Sequence, residues 1–229
     1  MSAAPPPTPD ELPRVQTAPS GVGHWFAALI LKLSGWTVDG APPDLDRYVV
    51  LAVPHTAWWD GVWMLLFARW WNVRLAWMGK HTLMRWPISL LLRRLGIVPV
   101  DRRAPQGLVG QIVEQFEQRD RLVLAIPPEG TRRRRDFWKS GFYHIAVEAK
   151  VPVCMSFLDY GRRTAGFGPC FWLTGDMRRD MDRIREFYAD KKGKVPADFT
   201  PPLLREELEA VPSTGEPQLE HDAGPPSPS

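Results

Sequence analysis

Residues 47–78 read RYVVLAVPHTAWWDGVWMLLFARWWNVRLAWM and contain the pattern that decides the fold. Residues 47–53 are a β-branched apolar run closed by Pro54, which predicts a buried strand. If residues 58–71 are helical, apolar side chains occupy nearly every face of the helix, which predicts a buried helix. Residues 73–78 predict the next strand. A strand, a helix and a second strand in succession are typical of a parallel sheet covered by helices.

The same alternation continues along the chain. Further strands are predicted at residues 96–100, 121–126, 151–160 and 168–173, and further helices at 82–96, 105–120, 141–150 and 177–192. We therefore predict an α/β fold, a single domain with a largely parallel mixed sheet flanked by helices.

The two ends of the chain differ from its body. Residues 1–20 and 196–229 are rich in proline and offer little to bury, so we expect disordered tails around a domain over residues 21–195. The body holds 27 basic and 17 acidic residues, a formal charge of +10. A body this basic favours partners that carry phosphate.

Tryptophan is unusually frequent, and nine of the eleven lie between residues 25 and 86. They either pack a core or lie at a membrane–water interface, and both interpretations stay open. The apolar segment at 25–33 is too short to span a bilayer, and we predict no signal peptide and no transmembrane helix. The two cysteines, Cys154 and Cys170, have no CxxC spacing, which predicts two buried thiols.

His55 and Asp60 are the first candidates for chemistry. If His55 lies on the turn after the strand and Asp60 in the first turn of the helix, the carboxylate can accept a hydrogen bond from one ring nitrogen. The other nitrogen is then free to remove a proton from a hydroxyl at neutral pH. The alternative is a capped helix that happens to follow a histidine.

Three other polar segments also follow predicted strands. The loop that begins Glu129-Gly130-Thr131-Arg132 has four consecutive arginines, which suit a phosphate group. Asp101, Arg102 and Arg103 follow the strand at 96–100, and Lys80 follows the strand at 73–78. Each segment could equally be a solvated surface loop. Because parallel strands present their carboxyl ends at one edge of the sheet, we expect these segments to share a pocket. We see no ligand spacing for a metal.

Together the segments resemble the glycerolipid acyltransferase family that includes 1-acylglycerol-3-phosphate acyltransferase. The resemblance covers residues 45–175 and is carried by four motifs, which are His55 with Asp60, Gly79-Lys80 with Pro87 and Pro99-Val100-Asp101-Arg102, Pro128 to Arg132, and Val151-Pro152-Val153. The chain departs from the family pattern at Pro54 and Ala57, where many members carry Asn and Ser.

The resemblance implies an O-acyltransferase of phospholipid biosynthesis. His55, oriented by Asp60, would deprotonate a lysophospholipid hydroxyl, which attacks an acyl-CoA or acyl carrier protein thioester as donor substrate, with no cofactor. Arg132, Arg102 and Lys80 would hold the acceptor phosphate, with Gly130 and Thr131 in the same loop and Glu129 positioning the hydroxyl-bearing end.

The basic body and the segment at 25–33 predict peripheral attachment to the cytoplasmic side of a membrane, and no nucleic-acid partner is expected. Two alternatives stay open. One is the same fold acting on another acceptor, such as a lyso-ornithine-type lipid or another hydroxylated metabolite. The other is a non-catalytic basic module that binds lipid.

Overall fold

The structure, a computed structural model, describes residues 21–80, 96–101 and 107–209 of the chain. Its strands are β1 Thr37–Asp39, β2 Arg47–Val53, β3 Leu75–Lys80, β4 Ile97–Val100, β5 Leu122–Ile126, β6 Val153–Asp159 and β7 Thr164–Phe171. Its helices are α1 Val22–Ser34, α2 Trp59–Trp70, α3 Gly107–Glu117, α4 Gly141–Glu148, α5 Met177–Tyr188 and α6 Arg205–Glu209, with a 3-10 helix at Pro196–Asp198.

The strands form one sheet in the order β1-β7-β6-β2-β5-β3-β4. Strands β6, β2, β5, β3 and β4 run parallel to one another. Strand β7 runs antiparallel to β6, and β1 pairs with β7 in parallel. The predicted α/β domain with a largely parallel mixed sheet is therefore confirmed.

Strand β2 shows why the sheet is covered on both faces. Its alternate residues Val49, Leu51 and Val53 join the main core, which also contains side chains of α3, α4 and α5. The intervening Tyr48 and Val50 are buried on the opposite face. On that side α1 packs against α2, where Leu31 and Phe67 share a cluster. Both faces of β2 are thus apolar, as expected for a central parallel strand.

Some predictions fall outside the described residues. These are the tail at 1–20, residues 82–95 of the predicted helix with Pro87, the two arginines at 102 and 103, the side chain of Lys80, and residues 210–229.

The prediction that the tail begins at residue 196 is wrong for residues 196–209, which we call the C-terminal strap. Trp138 donates from Nε1 to the carbonyl oxygen of Thr200 at 2.7 Å, and its backbone nitrogen donates to Leu203 at 2.8 Å. Leu204 is fully buried in the main core. A few apolar and hydrogen-bonding residues therefore hold this segment on the domain, despite its proline-rich and acidic composition.

The two cysteines are buried as predicted, but they form a disulfide rather than two separate thiols. Cys154 in β6 lies directly opposite Cys170 in β7. The antiparallel pairing of these strands brings the two side chains together, and the sequence alone did not indicate that pairing.

Candidate active site

The carboxyl ends of β2, β5 and β6 lie side by side. Leu51 pairs with Ile126 of β5, and Val53 pairs with Phe157 of β6. The residues that follow these pairs leave the sheet at one edge. This register brings the loops of His55, Glu129 and Tyr160 together, although they are distant in the sequence.

His55 lies on the turn between β2 and α2, and Asp60 lies in the first turn of α2. His55 Nδ1 is 3.5 Å from Asp60 Oδ2, which is within ion-pair range but longer than a normal hydrogen bond. Such contacts are often long before substrate binds and tighten afterwards. The structure therefore brings the predicted pair together with Nδ1 facing the carboxylate.

The Asp60 carboxylate is 2% exposed and is held from several sides. Oδ2 accepts hydrogen bonds from the backbone nitrogens of Thr56 and Ala57, both at 2.7 Å, and Oδ1 accepts one from the Tyr160 hydroxyl at 2.6 Å. Burial acts to raise the pKa of Asp60, but the His55 ring, Tyr160 and the two backbone donors outweigh it and lower that pKa. Asp60 is thus kept as an anion.

Glu129 lies at the start of the loop after β5 and is 2% exposed. Its Oε2 accepts a hydrogen bond from the backbone nitrogen of His55 at 2.6 Å. Desolvation raises the pKa of Glu129 to about 7, against the lowering effect of the backbone donor at His55. Its carboxylate therefore ties the two loops together, and the substrate contact implied by the family resemblance stays a prediction.

Gly130, Thr131 and Arg132 line a cavity of about 1360 Å³, on whose wall His55 and Asp60 also lie. Gly130 has a φ of 66°, and a Cβ there would lie 2.7 Å from Cε of Lys139. Only glycine fits this turn without strain. Arg132 is exposed, so its guanidinium is available to an anion.

Lys80 ends β3 at the same edge, where its backbone pairs with Val100 of β4. Asp101 follows β4, and its backbone nitrogen donates to Gln111 of α3 at 2.8 Å. Strand β3 pairs with β5 through Leu75 and Ala76, and β4 follows β3 in the sheet order. The pocket predicted to be shared by these segments stays a prediction for Lys80 and for the residues that follow β4.

The cavity runs along one face of α2. Mostly apolar side chains of α2 and β3 line it, among them Met64, Leu65, Phe67, Ala68, Trp71, Leu75 and Trp77. The exposed residues Trp58, Val62 and Leu65 belong to its lining, so the cavity opens to the surface between apolar side chains. Its mostly apolar lining with a few polar groups is typical of a ligand site.

Some tryptophans are exposed and others pack in a core, and the membrane-interface role of the exposed ones stays a prediction. Trp58 lines the cavity, is 59% exposed and stacks on Trp59 with ring centroids 4.1 Å apart. Trp63 instead packs on the buried Trp36, with centroids 4.9 Å apart.

Sequence reasoning missed three residues of the site. Tyr160 contacts Asp60, whereas Lys139 and Arg205 add cations to the cavity lining. Arg205 comes from the C-terminal strap, with its guanidinium carbon 5.5 Å from the Phe137 ring centroid. Tyr160 directly follows a strand, and this position could have marked it as a candidate site residue. Nothing in the strap sequence indicates its position.

Two negative findings apply to the described ranges. Across residues 21–80, 96–101 and 107–209, no three His, Cys, Asp or Glu side chains are grouped to hold a metal ion. Among the helices within the same ranges, none has the length and apolar character that crossing a bilayer requires.

Comparison with known proteins gives three findings. The family model described as Acyltransferase matches residues 39–155. The 1-acyl-sn-glycerol-3-phosphate acyltransferase of Streptococcus pneumoniae (strain ATCC BAA-255 / R6) is 27% identical over 128 residues, 52% of this chain and 47% of that protein. The chain thus matches about half the length of this relative. The crystal structure of the 1-acyl-sn-glycerophosphate (LPA) acyltransferase PlsC from Thermotoga maritima aligns with a TM-score of 0.48 and 18% identity, covering 75% of this chain and 80% of that one.

Proposed function

The chain belongs to the acyltransferase family, and we propose that it moves a fatty acyl group from an acyl thioester to a hydroxyl of a lysophospholipid. The donor is acyl-CoA or acyl carrier protein, and the preferred acceptor is 1-acylglycerol-3-phosphate, in line with the name of the Streptococcus pneumoniae relative. One observation carries the proposal. A histidine backed by a buried carboxylate lies on the wall of a mostly apolar cavity, where a base can meet a fatty acyl group.

In the proposed reaction His55 acts as the general base. Because Nδ1 faces Asp60, Nε2 is the atom that takes the proton from the acceptor hydroxyl. The acceptor oxygen attacks the thioester carbonyl carbon, the carbon–sulfur bond breaks, and the imidazolium returns the proton to the leaving thiolate. The Asp60 carboxylate stabilises the imidazolium between these two transfers. The enzyme ends in its starting protonation state.

The acceptor phosphate is proposed to bind at the cationic side of the cavity. Arg132, Lys139 and Arg205 line the cavity near Thr131, and arginine binds phosphate oxygens through paired N–H donors. From the family pattern we add Arg102 and Lys80 to this set. The cations and the base then contact opposite ends of one glycerol-sized acceptor.

The acyl chain is proposed to lie along α2. A helix of 12 residues is about 18 Å long, which is comparable with an extended long-chain fatty acyl group. Cavity-lining residues occur from Trp58, near His55, to Trp71 at the far end of the helix. The thioester would be held at the near end, beside the base.

The membrane is proposed to contact α1. Its apolar residues Val22, Trp25, Phe26, Leu29 and Leu33 are exposed on one face. Helix α1 packs against α2, whose exposed Val62 and Leu65 line the cavity, so we place the entrance for lipid beside this pair of helices. The positive charge of the body would add attraction to anionic lipid. We expect peripheral attachment at the cytoplasmic surface.

A transfer assay tests the proposal. The purified protein is incubated with labelled acyl-CoA or acyl carrier protein and a panel of lysophospholipids that includes lyso-ornithine lipid. We expect transfer to 1-acylglycerol-3-phosphate and a loss of about a hundredfold or more in His55→Ala. The control is His144→Ala, which changes an exposed histidine on α4. Equal activity of the two variants would exclude His55 as the base, and no transfer by the wild type would favour the lipid-binding module.

A further inference from the structure

Tyr160 contacts the proposed catalytic pair, although it lies outside the four family motifs. Its hydroxyl donates a hydrogen bond to Asp60 Oδ1 at 2.6 Å, across a sequence separation of 100 residues. A short hydrogen bond to an ionised carboxylate is of the strong, charge-assisted kind. We therefore expect Tyr160 to act on the orientation of the Asp60 carboxylate.

The two oxygens of Asp60 have different partners. Oδ2 accepts from the backbone nitrogens of Thr56 and Ala57 and faces His55 Nδ1. Within the described residues, the Tyr160 hydroxyl is the hydrogen-bond partner of Oδ1. If that bond were removed, the backbone donors on Oδ2 alone would orient the carboxylate, and it could turn more freely about the bond that joins it to Cβ. That freedom would loosen the placement of Oδ2 against the imidazole.

Tyr160 is itself held from three directions. It directly follows β6, and its backbone nitrogen donates to the carbonyl oxygen of Lys192 at 2.9 Å. Its ring meets the buried Trp36 edge to face, with centroids 5.1 Å apart. The hydroxyl is thus presented to Asp60 by a fixed ring, as a positioning group requires.

The Tyr160 hydroxyl does not lie among the groups that would contact substrate in the cavity. Tyr160 is absent from the cavity lining, whereas His55 and Asp60 belong to it. The tyrosine therefore lies behind the carboxylate as seen from the cavity. From that place the hydroxyl reaches the proposed reaction through its hydrogen bond to Asp60.

We propose that Tyr160 is a positioning residue that fixes the orientation of the Asp60 carboxylate and, through it, the imidazole of His55. The Tyr160–Asp60–His55 chain then extends the catalytic pair by one member. This proposal rests on the proposed function, because only an enzyme that uses His55 as a base needs the ring held in one orientation.

The main test replaces Tyr160 by phenylalanine, which keeps the ring against Trp36 and deletes the donor. The matched control is Tyr143→Phe. Tyr143 donates to the buried Asp180 at 2.9 Å, so the control removes the same kind of tyrosine–aspartate bond between α4 and α5. We expect Tyr160→Phe to lower kcat by about tenfold with KM within about twofold, whereas Tyr143→Phe keeps the wild-type kcat. Both should lower Tm by a similar amount.

A double-mutant cycle asks whether Tyr160 acts through Asp60. In an Asp60→Asn background, Tyr160→Phe should cause little further loss of kcat, because the carboxylate it positions is gone. An undiminished tenfold loss in that background would overturn the proposal. A Tyr160→Phe variant with normal kcat and a raised KM would also overturn it, since that pattern indicates a substrate contact.

A third measurement is independent of activity. The imidazole signals of the five histidines are recorded by NMR, and His55 is assigned from the His55→Ala variant. We expect Tyr160→Phe, but not Tyr143→Phe, to shift the His55 signals. Unchanged His55 signals would overturn the positioning role even in an active enzyme. If the wild type transfers no acyl group but Tyr160→Phe still shifts the His55 signals, the proposed function alone is refuted.

Discussion

Glu129 Oε2 lies 2.6 Å from the backbone nitrogen of His55, so a direct hydrogen bond joins the two loops that carry the family's first and third motifs. Its other oxygen, Oε1, is buried without a hydrogen-bond partner in the described part of the chain. A buried and half-satisfied carboxyl destabilises a fold. Its position here suits a residue that holds the loop of His55, the proposed base, in place, while the neighbouring Arg132 is exposed.

Glu129 should make stability depend on pH. Burial raises its pKa from the ordinary 4.5 to about 7. Between these pH values the folded protein binds a proton at Glu129 that the unfolded chain lacks. The free energy of unfolding therefore falls as pH rises from 4.5 to 7. Above pH 7 the contribution of Glu129 no longer changes with pH. The loss amounts to at most about 3 kcal/mol.

The comparison is between the wild type and Glu129→Gln, which keeps an acceptor for the His55 N–H and cannot titrate. Urea unfolding at a series of pH values should show a shallower fall for the variant over this window. Parallel curves for the two proteins would contradict the buried, proton-binding state of Glu129.

Arg205 should contribute to binding of the phosphate-bearing substrate. Because Arg205 and Arg132 both line the cavity, Arg205→Gln should raise KM for the acceptor about tenfold while kcat changes little. Arg121→Gln is the control, since Arg121 is exposed, pairs with Asp46, and lies at the opposite edge of the sheet. If both variants keep the wild-type KM, the strap adds nothing to substrate binding.

Ala68 should limit acyl-chain length. It lies on the cavity side of α2, about two turns beyond Asp60. Ala68→Phe should fill the far part of the cavity and shift the preference to shorter donors. Each methylene left outside apolar surroundings costs about 0.8 kcal/mol, or roughly fourfold in kcat/KM. Met64→Leu, which conserves volume on the same wall, should keep the wild-type profile. An unchanged profile in Ala68→Phe would place the acyl chain elsewhere.

The exposed face of α1 should bind lipid. Trp25 is 75% exposed and Phe26 lies next to it, so the double change Trp25→Ser with Phe26→Ser should weaken binding to vesicles at least about tenfold. Flotation with anionic and with neutral vesicles measures the apolar and the electrostatic parts separately. Leu208→Ser is the control, because Leu208 is an exposed apolar residue of α6 on the strap. Equal flotation of the two variants would remove α1 from the membrane contact.

The pattern of apolar runs predicted the strands at 47–53, 96–100 and 121–126 to within a residue. It was less accurate at the edge of the sheet. Strand β7 begins at Thr164 rather than at 168 and runs antiparallel, and β1 was not predicted. The short link from Asp159 to Thr164 leaves no room for a crossover helix, which forces the antiparallel direction.

The sequence by itself determined the α/β class, the turn that places His55 before α2, and the strand ends that carry the polar loops. These features depend on neighbouring residues, since an apolar run, a proline and a helical start act over a few positions. Only the tertiary structure decided that Glu129 binds the backbone of His55, that Tyr160 reaches Asp60, and that the C-terminal strap brings Arg205 to the cavity. These contacts join residues that are far apart in the chain, so they depend on strand order and on packing of the whole domain, which no local pattern specifies.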